Sequence, residues 1–324
     1  MAKVLVLRGI LAGVLMFAYG PLPSWSAEDE SLAPVSKRLV SFNSQPLPLF
    51  DAQGDLSIPA VLSIPARRNN SVPAVIILHG SAGMDSRGEL HSRDLNQLGI
   101  ATLELDMWGA RGIEGGASGR PTRVHDTLPD LAGALSYLAK YPGIDPARIG
   151  VVGFSWGGVQ AMLASTATVS AELVKKTGVR VTALAAFYPV CWGYNRVPGY
   201  EFKMLAPVRL IVLTGGDDQY DDDPAACPSL ISALPHSERI KIDIHVYEGA
   251  QHGFNGFEAA QQYEDPFLHR GKGGVGTSAP HAIARETSRQ AVRDFFTDAF
   301  EQKDTSVAHS QFMSTTQRRD PLVF

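Results

Sequence analysis

The sequence predicts an α/β fold, a mostly parallel sheet with helices on both faces, from three observations. Residues 74–78, Ala-Val-Ile-Ile-Leu, form an apolar, largely β-branched run without polar alternation, which suits a strand buried on both faces. Such runs alternate with stretches of helical spacing, as in Leu128, Leu131, Leu135 and Leu138, the order that βαβ units produce. Between them stands Gly153-Phe154-Ser155-Trp156-Gly157-Gly158, where the apolar run 149–152 turns within one residue into the helix-forming stretch 159–164.

The chain has 324 residues, a net charge of −4 and charges of both signs interspersed. It has neither the basic stripe of a nucleic-acid partner nor an acidic tail, so a small neutral or anionic ligand remains as the partner class. Lys3 and Arg8 precede an apolar run at 9–19, Pro21 and Pro23 break it, and Ser24-Trp25-Ser26 supplies small residues where a signal peptidase reads. Residues 1–26 are therefore expected to be a signal peptide, with cleavage after Ala27 the alternative and an uncleaved anchor the competing reading. Export to the periplasm or medium would make Cys191 and Cys227 a disulfide, against the plainer reading of two buried thiols. No stable membrane insertion is expected after signal removal.

Residues 37–64, broken by Pro46, Pro48, Gly54 and Pro59, read as an antiparallel meander at a sheet edge. The strand at 74–78 runs into His79-Gly80-Ser81-Ala82-Gly83. A helix is expected near 87–98, a strand at 100–105, a Gly-rich loop over 106–119, and a helix over 127–141 with Pro129 in its first turn. Further strands are expected at 181–187, 208–213 and 240–247. Residues 261–280 read as an extended surface loop, and a last helix at 282–300 should turn Ile283, Ala291, Phe295 and Phe296 inward. Without repeats or a clear linker, 37–303 reads as one domain and 304–324 as a flexible tail.

A serine two places from a glycine on either side, at a strand-to-helix turn, is the pattern of a nucleophile elbow; an ordinary glycine-rich turn is the bland alternative. A serine hydroxyl needs a general base and an orienting carboxylate. His252 stands in Gly249-Ala250-Gln251-His252-Gly253-Phe254 just beyond a strand end. Asp217 and Asp218 stand beyond another, the two not separable by spacing alone. Asp221, Asp222 and Asp223 follow closely, so a solvated loop or a weak Ca²⁺ site is the rival reading of that neighbourhood. The backbone N–H groups of Trp156 and Ser81 are the candidate oxyanion donors. No metal centre is otherwise expected.

The elbow, Leu78-His79-Gly80, the run Leu103-Glu104-Leu105-Asp106 leading to Arg111-Gly112, the stretch Asp145-Pro146-Ala147-Arg148-Ile149 and the segment around His252 together resemble the dienelactone hydrolase family of the α/β-hydrolase superfamily. The likeness runs from about residue 55 to 300. It implies an α/β-hydrolase fold with an eight-stranded, mostly parallel sheet. It also implies cofactor-free hydrolysis of carboxylic esters or lactones, and an acid three places after Gly215, at Asp218. The chain departs from the namesake enzymes at Ser155, where they carry Cys; exported members with Ser resemble it more closely. Arg111 is a candidate for a substrate carboxylate, or else a structural residue locked to Asp106 or to loop carbonyls. Trp108, Trp192, Tyr194 and Tyr220 are candidates to wall an acyl pocket, with ordinary packing as the alternative. Two alternatives keep the scaffold: a peptidase of prolyl-oligopeptidase type, and a non-catalytic binding protein.

Overall fold

The apolar runs assemble into one eight-stranded sheet. A computed structural model describes residues 34–66 and 71–315; the expected signal peptide lies outside them. The strands are β1 (Val35–Asn43), β2 (Ser57–Pro65), β3 (Val72–Leu78), β4 (Ala101–Leu105), β5 (Ile144–Phe154), β6 (Ala183–Phe187), β7 (Arg209–Gly215) and β8 (Ile242–Tyr247), in the order β1-β2-β4-β3-β5-β6-β7-β8. β2 pairs antiparallel with both β1 and β4, and the remaining neighbours in this sheet are parallel. β3, β4 and β6 are buried at every residue, as strands covered on both faces must be. β1 is exposed along most of its length, and Lys37 and Arg38 blunt that edge against further pairing.

Helices α1 (Ser86–Gln97), α2 (Leu128–Lys140), α3 (Trp156–Ser165), α4 (Ala167–Thr177) and α5 (Ala226–Ser232) and a C-terminal helix (Ala282–Thr315) cover the sheet. Alternation along β3 divides the core. Ile76 joins Leu128, Leu131, Leu135 and Leu138 of α2 on one side, while Val75 and Ile77 join Leu95, Phe295 and Phe296 on the other. Asp85 caps α1 by accepting from the Arg87 N–H at 3.0 Å. Among the described residues no helix is long and apolar enough to cross a membrane.

Three expectations differ. Residues 261–280 are not a plain loop: β9 (Gln261–Asp265) and β10 (Gly274–Ser278) form an antiparallel hairpin. Its sequence is polar because only a few of its side chains, Asp265 and Leu268 among them, face inward. Ile283 is exposed; Ala284, Ser288 and Val292 take the buried side of the C-terminal helix together with Phe295, Phe296 and Phe300. That helix continues to Thr315, beyond the end expected near Phe300 and into the segment expected as a tail.

Candidate active site

Close packing makes the glycines around Ser155 necessary. A Cβ on Gly153 would strike the Gly157 carbonyl, one on Gly157 the Leu78 carbonyl, and one on Gly158 the Phe187 carbonyl, all backbone atoms that cannot step aside. β5 therefore passes directly into α3, and Ser155 takes φ 50° and ψ −107°, a region that L-residues rarely occupy. This turn lifts the hydroxyl off the carboxyl edge of the sheet, where the loops after β3, β6, β7 and β8 converge.

Two of those loops bring polar partners to Ser155. His252, after β8, has Nε2 2.8 Å from Ser155 Oγ and Nδ1 2.8 Å from Asp218 Oδ2. A carboxylate only accepts, so Nδ1 carries the proton and Nε2 is left to accept from the serine hydroxyl. Asp218 Oδ1 also accepts from the Tyr220 N–H at 2.9 Å, which fixes the carboxylate. Of the two neighbouring aspartates, Asp218 is the one on the imidazole; Asp217 is exposed. Tyr188 and Tyr220 flank the imidazole with ring centroids 4.6 and 4.5 Å away. The backbone of His252 is pinned by β10, through a bridge to Ser278 and the Ala279 N–H.

The loop after β3 is held by His79. Its Nε2 accepts from the Met107 N–H at 3.0 Å, and its Nδ1 lies 2.8 Å from the Gly80 carbonyl, an arrangement that requires a neutral ring with the proton on Nδ1. Burial lowers its pKa to about 4, consistent with that tautomer. Gly80 packs against Ser155 Cβ. The N–H groups of Ser81 and Trp156 have no intramolecular acceptor among the described residues, and Ser155, Ser81 and Trp156 all line one cavity of about 680 Å³.

Trp192, Tyr194 and Tyr220 line that cavity, as the sequence suggested; Trp108 and Arg111 do not. Trp108 is buried behind the loop, donating from Nε1 to the Ser81 carbonyl at 2.9 Å and packing edge-on against His79 and Trp156. Arg111 is bound bidentately to Asp130 on α2 at 2.7 and 3.1 Å, not to Asp106, and also donates to the Met107 and Asp126 carbonyls. Asp130 is fully buried, and burial raises its pKa to about 6 against the pull of Arg111. Such a carboxylate needs its cation, and four of the five guanidinium N–H donors are already engaged inside the protein.

Cys191 and Cys227 form a disulfide, Cα atoms 5.1 Å apart. It ties the turn carrying Trp192 to α5, downstream of the Asp218 loop, and in the chain-entropy model closing a loop of this length stabilises by about 4 kcal/mol. Asp221 reinforces the tie by accepting from the N–H groups of Cys191 and Trp192 at 3.1 and 2.7 Å. Burial, then the nearby Asp218 charge, raises the Asp221 pKa to about 7. Asp222 and Asp223 pair with His269 and Arg270. Three carboxylates of the suspected cation loop are thus engaged by protein donors.

Sequence reasoning missed Arg120, Asp265 and Tyr188. Arg120 lines the cavity and is bound bidentately to Asp265, a residue 145 positions away on β9. Tyr188 donates to Asn255 Oδ1 at 2.7 Å and accepts from Arg87 at 3.1 Å behind the imidazole. Neither arrangement follows a local spacing, so no pattern along the chain announces it.

Comparison with known proteins bears on the fold. The "Putative Dienelactone Hydrolase" of Klebsiella pneumoniae subsp. pneumoniae MGH 78578 superposes with a TM-score of 0.56 at 18% identity, covering 82% of this chain and 99% of that one. The dienelactone hydrolase of Anabaena variabilis ATCC 29413 superposes at 0.50 with 16% identity, covering 82% and 98%. At these identities the likeness shows the fold alone. "Putative hydrolase YtaP" of Bacillus subtilis (strain 168) is 27% identical over 139 residues, 35% of this chain and 45% of YtaP, so less than half of that relative is matched. The model of the dienelactone hydrolase family matches residues 58–300, three quarters of the sequence, and the chain belongs to that family of α/β hydrolases.

Proposed function

We propose that the protein is an exported serine hydrolase that cleaves carboxylic esters or lactones. The observation that carries this reading is the unbroken relay Ser155 Oγ to His252 Nε2 and His252 Nδ1 to Asp218 Oδ2, each step 2.8 Å. Ser155 Oγ attacks the ester carbonyl carbon as its proton passes to His252 Nε2, and Asp218 stabilises the imidazolium that forms. The N–H groups of Trp156 and Ser81, at the α3 N-terminus and the loop after β3, hold the tetrahedral oxyanion; each such donor is worth about 10²–10³ in kcat. Collapse breaks the bond to the alcohol oxygen, which takes the proton from His252. Water then attacks the acyl-enzyme by the same relay and releases the acid and Ser155. Export is supported by the signal-like N-terminus and by the disulfide, which suits an oxidising compartment.

Ser155→Ala should lower turnover of short p-nitrophenyl esters by about 10⁴-fold or more while the protein stays folded. A fluorophosphonate probe should label the parent protein and not the variant. Undiminished turnover in Ser155→Ala would refute the assignment, and a matched amide substrate separates esterase from peptidase. A mature N-terminus at Ala27 in exported protein is the check on the signal peptide.

A further inference from the structure

The cavity beside Ser155 is far larger than an acetyl group requires, and its wall is made mainly of rings and aliphatic chains. Phe50, Trp156, Val159, Trp192, Tyr194 and Tyr200 contribute to it. On the same wall His125 meets two further rings, its centroid 5.3 Å from that of Phe50 and edge-on to Tyr200 at 4.9 Å. Rings so arranged offer faces and edges to an aromatic guest. At about 680 Å³ the cavity has the size of sites that enclose whole organic ligands, roughly 300–1,000 Å³.

His252 is not among the lining residues, although Ser155 is. A leaving alcohol must lie within reach of His252 Nε2 to collect its proton. With Ser155 and both proposed oxyanion residues on its wall and His252 off it, we take the cavity as the acyl side of the scissile bond.

The cations on the wall are already matched. Arg120 is held bidentately by Asp265 at 2.7 and 3.0 Å, and Arg123 is held by Asp126 at 2.6 Å. Burial lowers the pKa of His125, which keeps that ring neutral at pH 7. The other charged lining residue is Asp51, exposed and negative. A substrate carboxylate would thus lose its water opposite cations that are already paired, and would share the cavity with the Asp51 carboxylate.

Resting on the serine-esterase reading above, we propose that this cavity selects a bulky, apolar, uncharged acyl group of arylalkanoyl or aroyl type and rejects acyl groups that end in a free carboxylate.

The test compares kcat/KM of the full mature chain on p-nitrophenyl esters with one leaving group and different acyl groups: acetate, hexanoate, 3-phenylpropanoate and the hemiester of glutarate. The phenylpropanoate should exceed the acetate by about tenfold or more, the gain from burying roughly 50–60 Å² of additional apolar surface. The hexanoate should exceed the glutarate hemiester, similar in length but charged, by about tenfold. Asp51→Asn should narrow that second ratio two- to threefold, roughly what one exposed charge contributes. Val159→Phe, which fills the cavity, should lower the phenylpropanoate-to-acetate ratio. If that variant does not fold, the wild-type series decides alone. Acetate equal to or better than phenylpropanoate, or glutarate equal to hexanoate, overturns the selectivity while leaving the esterase reading intact. Failure of every ester, together with no fluorophosphonate labelling, overturns the esterase reading and the selectivity with it.

Discussion

Arg120 and Asp265 form a buried bidentate ion pair in the wall of the candidate active site, with N–O distances of 2.7 and 3.0 Å. The same guanidinium donates to Ser81 Oγ at 2.7 Å and lies 5.3 Å from the centre of the Trp156 ring. The same carboxylate accepts the Tyr220 hydroxyl at 2.8 Å, and the Tyr220 ring packs on the His252 imidazole. One ion pair therefore braces both proposed oxyanion residues and the ring against the proposed base. Burial works against the Asp265 charge, but the Arg120 hydrogen bonds, the Phe267 N–H, the Arg120 charge and the Tyr220 hydroxyl together outweigh it and hold the carboxyl below its ordinary pKa.

Breaking this pair should damage positioning before it damages the fold. Asp265→Asn keeps the shape and loses the charge, so kcat on a good ester should fall about ten- to a hundredfold, as misplacement by an ångström can do. KM should change less, and fluorophosphonate labelling should slow in parallel with kcat. Asp265→Ala leaves a buried guanidinium unpaired and should also cost about 3–5 kcal/mol of stability. A melting temperature that drops in Asp265→Asn while kcat stays within twofold would assign the pair to the scaffold alone.

The strain at Ser155 makes a separate prediction, about stability. At φ 50° and ψ −107° a Cβ is unfavourable whatever the rest of the side chain. Ser155→Ala retains that Cβ; Ser155→Gly removes it. Both variants lose the hydroxyl and should be inactive. The glycine variant should nevertheless be more stable than the alanine variant by about 1 kcal/mol, after the larger unfolded-state freedom of glycine is discounted. Urea unfolding of the two variants measures the difference, and an alanine variant as stable as the glycine one would mean that the turn is relaxed.

The parallel core of the sheet was legible because burial on both faces leaves an unmistakable signature, as the runs that became β3, β6 and β7 illustrate. Ser155 was legible for another reason: packing forbids side chains at Gly153, Gly157 and Gly158, and that steric demand is written into the local sequence; His252 was legible from its place in a short loop just beyond a strand end. Asp218 and Asp217 could not be told apart from the residues themselves, since only the loop's backbone path turns one toward the imidazole and the other to water. The hairpin of β9 and β10 was read as loop because little of it is buried and its polar residues point outward. With the hairpin went Asp265, and with Asp265 the role of Arg120. The structural role of Arg111 and its bonds to loop carbonyls were legible, but its carboxylate partner was not: Asp130 lies on a helix face otherwise filled by leucines, where a single buried carboxylate does not disturb the apolar periodicity.

Glu104 offers a test by pH. It lies on β4 between apolar neighbours, and its carboxyl reaches α1 at Gly88, where any Cβ would collide with it. Burial first, then the charges of Asp85 and Glu89, raise its pKa to about 7, against a small opposing pull from Lys37. Between roughly pH 4 and 7 the native protein therefore holds a proton that the unfolded chain has released. The stability this group contributes is complete below about pH 4 and is lost as pH rises through 7, on the order of 3 kcal/mol in all. Glu104→Gln remains neutral and escapes that loss. The unfolding free energy of the variant minus that of the parent should thus grow by about 2–3 kcal/mol between pH 5 and pH 8. The buried rings of His79 and His91, with pKa values lowered to about 4, act in the opposite sense, losing stability as pH falls below 6.5. Both rings are present in parent and variant and cancel in the difference, so a difference that stays flat across this range would show that the Glu104 carboxyl does not titrate there.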